Sequence, residues 1–145
     1  MAQEVNLSKQ SVQIVAEMSL KEKVAFCSGK NFWYLKSLDR FELPSIMVTD
    51  GPPGLRKQDS QADHVGLNAS VPATCFPTAS ALVCSWNVEL MHEIGVALGK
   101  ECVKENVSVL LGPGMNIKRH PLCGRNFEYF SEDPVLTGEM AASLV

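Results

Sequence analysis

The chain has 145 residues, 46% of them apolar and 20% charged, with a formal net charge of −3. One globular domain is the natural size class, able to bury roughly 68–70% of its unfolded surface. Lys and Arg are scattered apart from Lys118-Arg119, which leaves no electrostatic footprint for nucleic acid or an anionic membrane.

A helical signal runs from about Ser8 to Met18, with Val12, Val15 and Ala16 on one side. Ser19-Leu20-Lys21-Glu22 reads as a capping box, in which the hydroxyl accepts from one orphan N–H and the Glu reaches back to another. Leu20, Val24 and Cys27 follow at helical spacing, and Gly29 is placed to end that helix. Residues 31–43 mix aromatic and charged side chains without a period and read as a packed connection. Residues 45–49 are an apolar run cut off by Asp50 and Gly51-Pro52-Pro53-Gly54, the pattern of a buried strand feeding a rigid loop. The polar stretch 57–74 reads as a long loop, a class that is usually functional or disordered.

Residues 79–84 are a second short apolar run and the second expected strand. Asn87 can cap the next helix, whose apolar stripe is Leu90, Ile94, Ala97, Leu98 and Cys102. A third strand is expected at residues 107–111, ending in Gly112-Pro113-Gly114. A long loop then reaches Glu132, and Asp133-Pro134 supplies the N-cap and first position of another helix. Alternating buried strands and amphipathic helices predict an α/β fold with a parallel sheet of about three strands. Periodicity alone does not separate an open doubly wound sheet from a barrel.

Five cysteines (Cys27, Cys75, Cys84, Cys102, Cys123) form no C-x-x-C pair, so no zinc site is expected. Four lie in apolar or helical surroundings and are expected to be buried thiols of a reducing compartment. The first ten residues lack the apolar core of a signal peptide, and no run approaches the ~18 apolar residues that span a bilayer. The cytoplasm is the expected location. The N-x-S triplets at Asn6, Asn68 and Asn106 then read as chance matches.

In parallel α/β architectures the active face lies at the C-terminal ends of the strands. Asp50 stands at the end of the first expected strand, with Arg56 beyond the Gly-Pro turn. The loop after the third holds Lys118, Arg119, His120, Arg125, Glu128 and Asp133. Asp50 and Arg125 are thus expected to share one rim. A carboxylate that accepts from adjacent hydroxyls, with guanidinium groups that donate to them, suits a neutral polyol such as a sugar. Alternatives stay open: Arg125 can make a structural pair with Glu128 or Asp133, and Lys118, Arg119 and His120 fit a solvated loop or a buried salt bridge at least as well as substrate contact. Asp133 is expected as a helix cap, His64 as an exposed loop residue and His92 on a helix surface. Trp33, Trp86 and Phe127 suit a stacking wall but are expected in the core. Gly112-x-Gly114 lacks the third glycine of a dinucleotide fingerprint.

The string from Leu110 to Pro134, which includes Gly124-Arg125-Asn126-Phe127-Glu128-Tyr129-Phe130-Ser131-Glu132-Asp133-Pro134, resembles the signature segment of family 3 glycoside hydrolases. Asp50-Gly51-Pro52-Pro53-Gly54-Leu55-Arg56 is similar to that family's D-G-P-x-G-x-R motif, and Val71-Pro72-Ala73-Thr74-Cys75-Phe76-Pro77 to the link between the two. The likeness extends from about Met18 to the last residue. It implies the N-terminal portion of a (β/α)8 TIM-type barrel across residues 1–145, with the rest of the barrel and a second domain lying elsewhere. It also implies a retaining β-glucosidase acting on a small β-glucoside or oligosaccharide, without metal or cofactor. Asp50, Arg56 and Arg125 would line the −1 subsite. Pro53 stands where similar sequences often have His, so a contact from that position is not carried over. In the family the nucleophilic Asp lies in an S-D-W-like motif on a later strand and the acid/base Glu follows in another domain, so no catalytic residue is expected among these 145. The rival readings are a β-xylosidase or N-acetyl-glucosaminidase of the same family, or a non-catalytic sugar-binding or structural piece.

Overall fold

The structure, a computed structural model, describes residues 2–51, 53–58 and 68–145. His64 lies outside the described residues. The chain divides into two compact units, residues 1–47 and residues 48–145.

The first unit begins with helices α1 (Ala2–Glu17) and α2 (Leu20–Phe26). The capping box between them is formed: Ser19 Oγ accepts from the Glu22 N–H at 3.3 Å, and the Glu22 carboxylate accepts from the Ser19 N–H at 2.8 Å. That carboxylate also receives Arg40, whose Nε and Nη2 donate to it at 2.6 and 2.8 Å. Arg40 thereby ties a 3-10 turn at Asp39–Phe41 back to the start of α2. Helix α2 closes at Cys27, two residues before the Gly29 expected to end it, and Gly29 instead bridges Leu35. The expected packed connection is present, with Leu38 buried and bridged to Leu43. Val12, Val15, Leu20 and Val24 are exposed in this unit.

The second unit holds β1 (Val48–Thr49), α3 (Ala79–Val83), α4 (Val88–Lys104), β2 (Val109–Leu110) and α5 (Pro134–Leu144). Strands β1 and β2 pair in parallel, Val48 opposite Val109 and Thr49 opposite Leu110. The α/β class with parallel pairing is therefore present, but among the described residues two strands stand where three are expected. Residues 79–83 are helical and Cys84 is their C-cap: the Thr78 carbonyl accepts from the Ala81 and Leu82 N–H groups, and an extended Thr78 forms the N-cap. Leu82 and Val83 turn into the core while Ser80 is only partly buried. A run this short satisfies strand and helix periodicity equally, and tertiary packing decides.

Asn87 caps α4 by accepting from the Leu90 N–H at 3.0 Å, and Asp133 caps α5 by accepting from Val135 and Leu136, with Pro134 at the first helical position. The buried stripe of α4 is Met91, Ile94, Leu98 and Cys102, so Met91 takes the place expected of Leu90. It packs with Leu82, Val83, Phe130, Met140 and Ala141 into one core that joins α3, α4, α5 and the loop before α5. Burial of Phe130 and Met91 to 1% and 0% exposure makes this the anchor of the unit. Cys102 is buried, whereas Cys27, Cys75, Cys84 and Cys123 are exposed, against the expectation of four buried thiols. Turns and helix ends, where three of them lie, do not bury a side chain merely because its neighbours are apolar. Trp86 and Phe127 are likewise exposed rather than core, and Trp33 is half-buried, edge-on to Phe32. His92 is on the exposed face of α4. Among the described residues no helix is long and apolar enough to cross a membrane, and no His/Cys/Asp/Glu cluster has a metal-binding arrangement.

Candidate functional site

Because β1 and β2 run parallel as neighbours, the chain leaves both at the same edge of the pair. Asp50 is the first residue past β1. The turn that follows folds straight back, with the Gly54 N–H donating to the Gly51 carbonyl at 3.0 Å and the Arg56 N–H to the Asp50 carbonyl at 3.1 Å. Two glycines make this geometry available. Gly51 and Gly54 have φ of 124° and 150°, and a Cβ on either would lie 1.9 Å from the Gly54 carbonyl oxygen or 2.2 Å from that of Thr74. Thr49, fully buried, donates its hydroxyl to the Arg56 carbonyl at 2.7 Å and closes the loop from beneath. Asp50 and Arg56 are thereby brought side by side, Oδ2 to Nη1 at 3.9 Å, both about half exposed. A pair this long and this wet is worth about 0–1 kcal/mol, so neither group is committed to the other.

The rest of the loop is tied to α4. Lys57 Nζ donates to the Glu105 carbonyl at 2.7 Å, and the Thr74 hydroxyl and N–H donate to Glu101 at 2.6 and 3.1 Å. Backbone bonds from Phe76 to Pro53 and from Val71 to Lys57 hold the returning segment against the turn.

The loop after β2 is built differently. Its two arms run together, with Gly114 bridging Tyr129 and the Lys118 N–H donating to the Ser131 carbonyl. Between the arms His120 is a hub. Its carbonyl accepts from the Cys123 N–H and from Asn126 Nδ2, and its Nδ1 accepts from the Leu122 N–H at 3.2 Å. Lys118 Nζ donates to Ser80 on α3 at 2.7 Å, while Arg119 is exposed. Arg125 opens a 3-10 turn at Asn126–Glu128, and its Nε donates to Glu128 in a very short ion pair. Of the two structural partners left open for Arg125 by the sequence, the geometry takes Glu128, since Asp133 is engaged as the cap of α5. The guanidinium lies 5.8 Å from the Tyr129 ring centre and is 70% exposed. Its bond to the Glu128 carboxylate raises its pKa further above the usual range, so it stays cationic at any working pH.

The predicted site residues thus form two sets on loops that share an edge: Asp50 with Arg56, and Arg125 with Glu128. Among the described residues no ion pair joins the sets to each other. Two groups that sequence reasoning passed over organise them, namely Thr49 beneath the first loop and Ser80 beneath the second, while Glu128, a partner the sequence offered, orients Arg125.

The family model described as the N-terminal domain of glycosyl hydrolase family 3 matches residues 55–145. The thermostable beta-glucosidase B of Acetivibrio thermocellus is 61% identical over 131 residues, which are 90% of this chain and 17% of that protein. An exo-alpha-(1->6)-L-arabinopyranosidase of Bifidobacterium longum is 49% identical over 140 residues, covering 96% and 18%. In three dimensions the chain is similar to beta-glucosidase 3B of Thermotoga neapolitana, solved in complex with glucose, with a TM-score of 0.78 at 39% identity over 94% of this chain and 21% of that one. The chain therefore spans less than a fifth of the length of these curated relatives. A matched domain model over most of the second unit, with relatives and solved structures of the same kind, leads to one assignment: the chain belongs to glycosyl hydrolase family 3.

Proposed function

We propose that the protein carrying this chain hydrolyses terminal, non-reducing β-D-glucosyl residues with retention of configuration, and that this segment supplies one side of the −1 sugar subsite. The observation that carries the reading is the placement of the Asp50 and Arg125 loops at the same edge of a parallel strand pair. Asp50 accepts hydrogen bonds from neighbouring ring hydroxyls, and the loose Arg56 pairing opens to admit them. Arg125 has Nε engaged by Glu128, which leaves the terminal N–H groups of its fork to donate to hydroxyl oxygens in a fixed plane. Beta-glucosidases among the relatives, one of them solved with glucose, support the choice of sugar.

Retention requires a carboxylate nucleophile and a carboxylic acid about 5–5.5 Å apart. No carboxylate described here is assigned either role; both are proposed to come from other segments of the whole protein, as the family resemblance implies. The two parallel strands and their covering helices are read as part of a (β/α)8 barrel. Four exposed thiols suit a reducing, cytoplasmic location. No metal or organic cofactor enters this mechanism.

An arabinopyranosidase at 49% identity makes the glycosyl group the point to test. The full-length protein, assayed on nitrophenyl β-glucoside, β-xyloside, N-acetyl-β-glucosaminide and α-L-arabinopyranoside, is expected to show its highest kcat/KM on the glucoside. A clear preference for any of the other three overturns the proposed substrate.

A further inference from the structure

We infer that Lys118 and Ser80 form a positioning clamp that sets the Arg125 turn against helix α3. The inference rests on the reading of Arg125 as a sugar-binding group and adds the residues that aim it.

Ser80 Oγ stands 2.9, 3.2 and 3.3 Å from the carbonyl oxygens of Asn126, Phe127 and Tyr129. A hydroxyl has one proton, so it can satisfy one of these acceptors at a time. Three backbone carbonyls that close a 3-10 turn concentrate negative partial charge around a single donor. Lys118 Nζ resolves this. It donates to the same Oγ at 2.7 Å, occupies an oxygen lone pair, turns the Ser80 proton toward the carbonyls and places a full positive charge beside their dipoles. The ammonium is held in register because the Lys118 N–H is itself bonded to the Ser131 carbonyl on the returning arm.

The clamp therefore grips the turn that begins at Arg125. Its other holds include the buried Phe130 ring, the Gly114–Tyr129 bridge and the Asn126–His120 bond. None of those fixes the carbonyl face of residues 126–129 to a helix, and Ser80 does. Loss of the clamp lets the turn rotate about its Phe130 anchor, which displaces the guanidinium without removing it. A misplacement of about 1 Å at a positioning group costs up to about a hundredfold in rate.

The test uses the full-length protein and nitrophenyl β-glucoside, with Lys118→Met, Ser80→Ala, Ser80→Thr, Arg125→Ala and the double variant Lys118→Met/Arg125→Ala. Lys118→Met and Ser80→Ala are each expected to lower kcat/KM between about ten- and a hundredfold, while Ser80→Thr, which keeps the hydroxyl, recovers most of the loss. The decisive figure is the effect of Lys118→Met once Arg125 is already gone, expected to be under about threefold because the clamp acts through Arg125. An undiminished loss in that background, or wild-type kcat/KM in both Lys118→Met and Ser80→Ala, overturns the clamp while Arg125 keeps its role. Wild-type activity in Arg125→Ala overturns the sugar-binding reading and the clamp with it. If Lys118→Met fails to fold, Ser80→Ala combined with Arg125→Ala reads the same coupling.

Discussion

Two glycines one turn apart on α4 are expected to answer the same substitution with opposite sign. In a helix interior, Gly→Ala gains roughly 0.5–1 kcal/mol by restricting the unfolded chain and shielding the backbone. At Gly99, and at Gly138 on α5, a Cβ would meet nothing within 4 Å, so the full gain is expected. At Gly95 the Cβ would lie 2.1 Å from the Leu144 carbonyl oxygen and 2.9 Å from its carbon, both backbone atoms of α5. The two helices must separate by about an ångström to admit the methyl, and overpacking of that kind costs about 1–3 kcal/mol. Subtracting the propensity gain leaves Gly95→Ala about 0–2.5 kcal/mol less stable than wild type, against about 0.5–1 kcal/mol more stable for Gly99→Ala. Urea unfolding of the 145-residue chain, followed by far-UV circular dichroism and compared at equal slopes, measures both. Equal stabilisation by the two substitutions would refute the close α4–α5 approach, and with it the packing that anchors Phe130 beneath the Arg125 loop.

Two further outcomes follow from local electrostatics and burial. Glu22 accepts from Arg40 and from the Ser19 cap, and these bonds, Arg40 foremost, hold its carboxyl well below the usual carboxylate range. A depressed folded pKa stabilises above the unfolded value of about 4.3, and the contribution is lost only as pH falls through the folded value. Carboxyl NMR should therefore find Glu22 still ionised near pH 3, and Arg40→Gln should raise it toward the ordinary range while the Ser19 cap still holds it down; a wild-type Glu22 titrating with the other glutamates contradicts the pairing. Burial, reinforced by the Glu101 carboxylate, pushes the Cys102 thiol up. Its neutral form is favoured in the fold, so that contribution holds below the unfolded thiol pKa of about 8.5 and is lost as pH rises toward the folded value. At neutral pH, alkylation read by mass spectrometry should mark Cys27, Cys75, Cys84 and Cys123 quickly and Cys102 last. Labelling of Cys102 at the common rate would contradict its burial.

What the sequence made legible was local. Ser19, Asn87 and Asp133 announce helix starts because a short polar side chain and the N–H groups it satisfies lie within three residues of each other. The D-G-P-P-G turn was readable for the same reason, since two glycines at positive φ serve a loop of seven residues. Residues 79–84 were misread because Ala79 to Val83 offers one helical turn, and its state is decided by Leu82 and Val83 meeting Met91 and Phe130 from distant parts of the chain. The exposed thiols and aromatics were misread by the same route, composition standing in for packing. At the site, the residues that could touch a sugar were visible as strand-end charges. The Ser80 support was not, because its bonds to residues 126, 127 and 129 span more than forty positions and leave no periodic trace.

Whether Asp50 and Arg125 grip a pyranose is most directly settled by calorimetric titration of the full-length protein with glucose. Wild type should bind one equivalent saturably, and Asp50→Ala and Arg125→Ala should each weaken binding by at least about tenfold, the cost of one charge-assisted hydrogen bond. Glucose affinity unchanged by both substitutions would contradict the account.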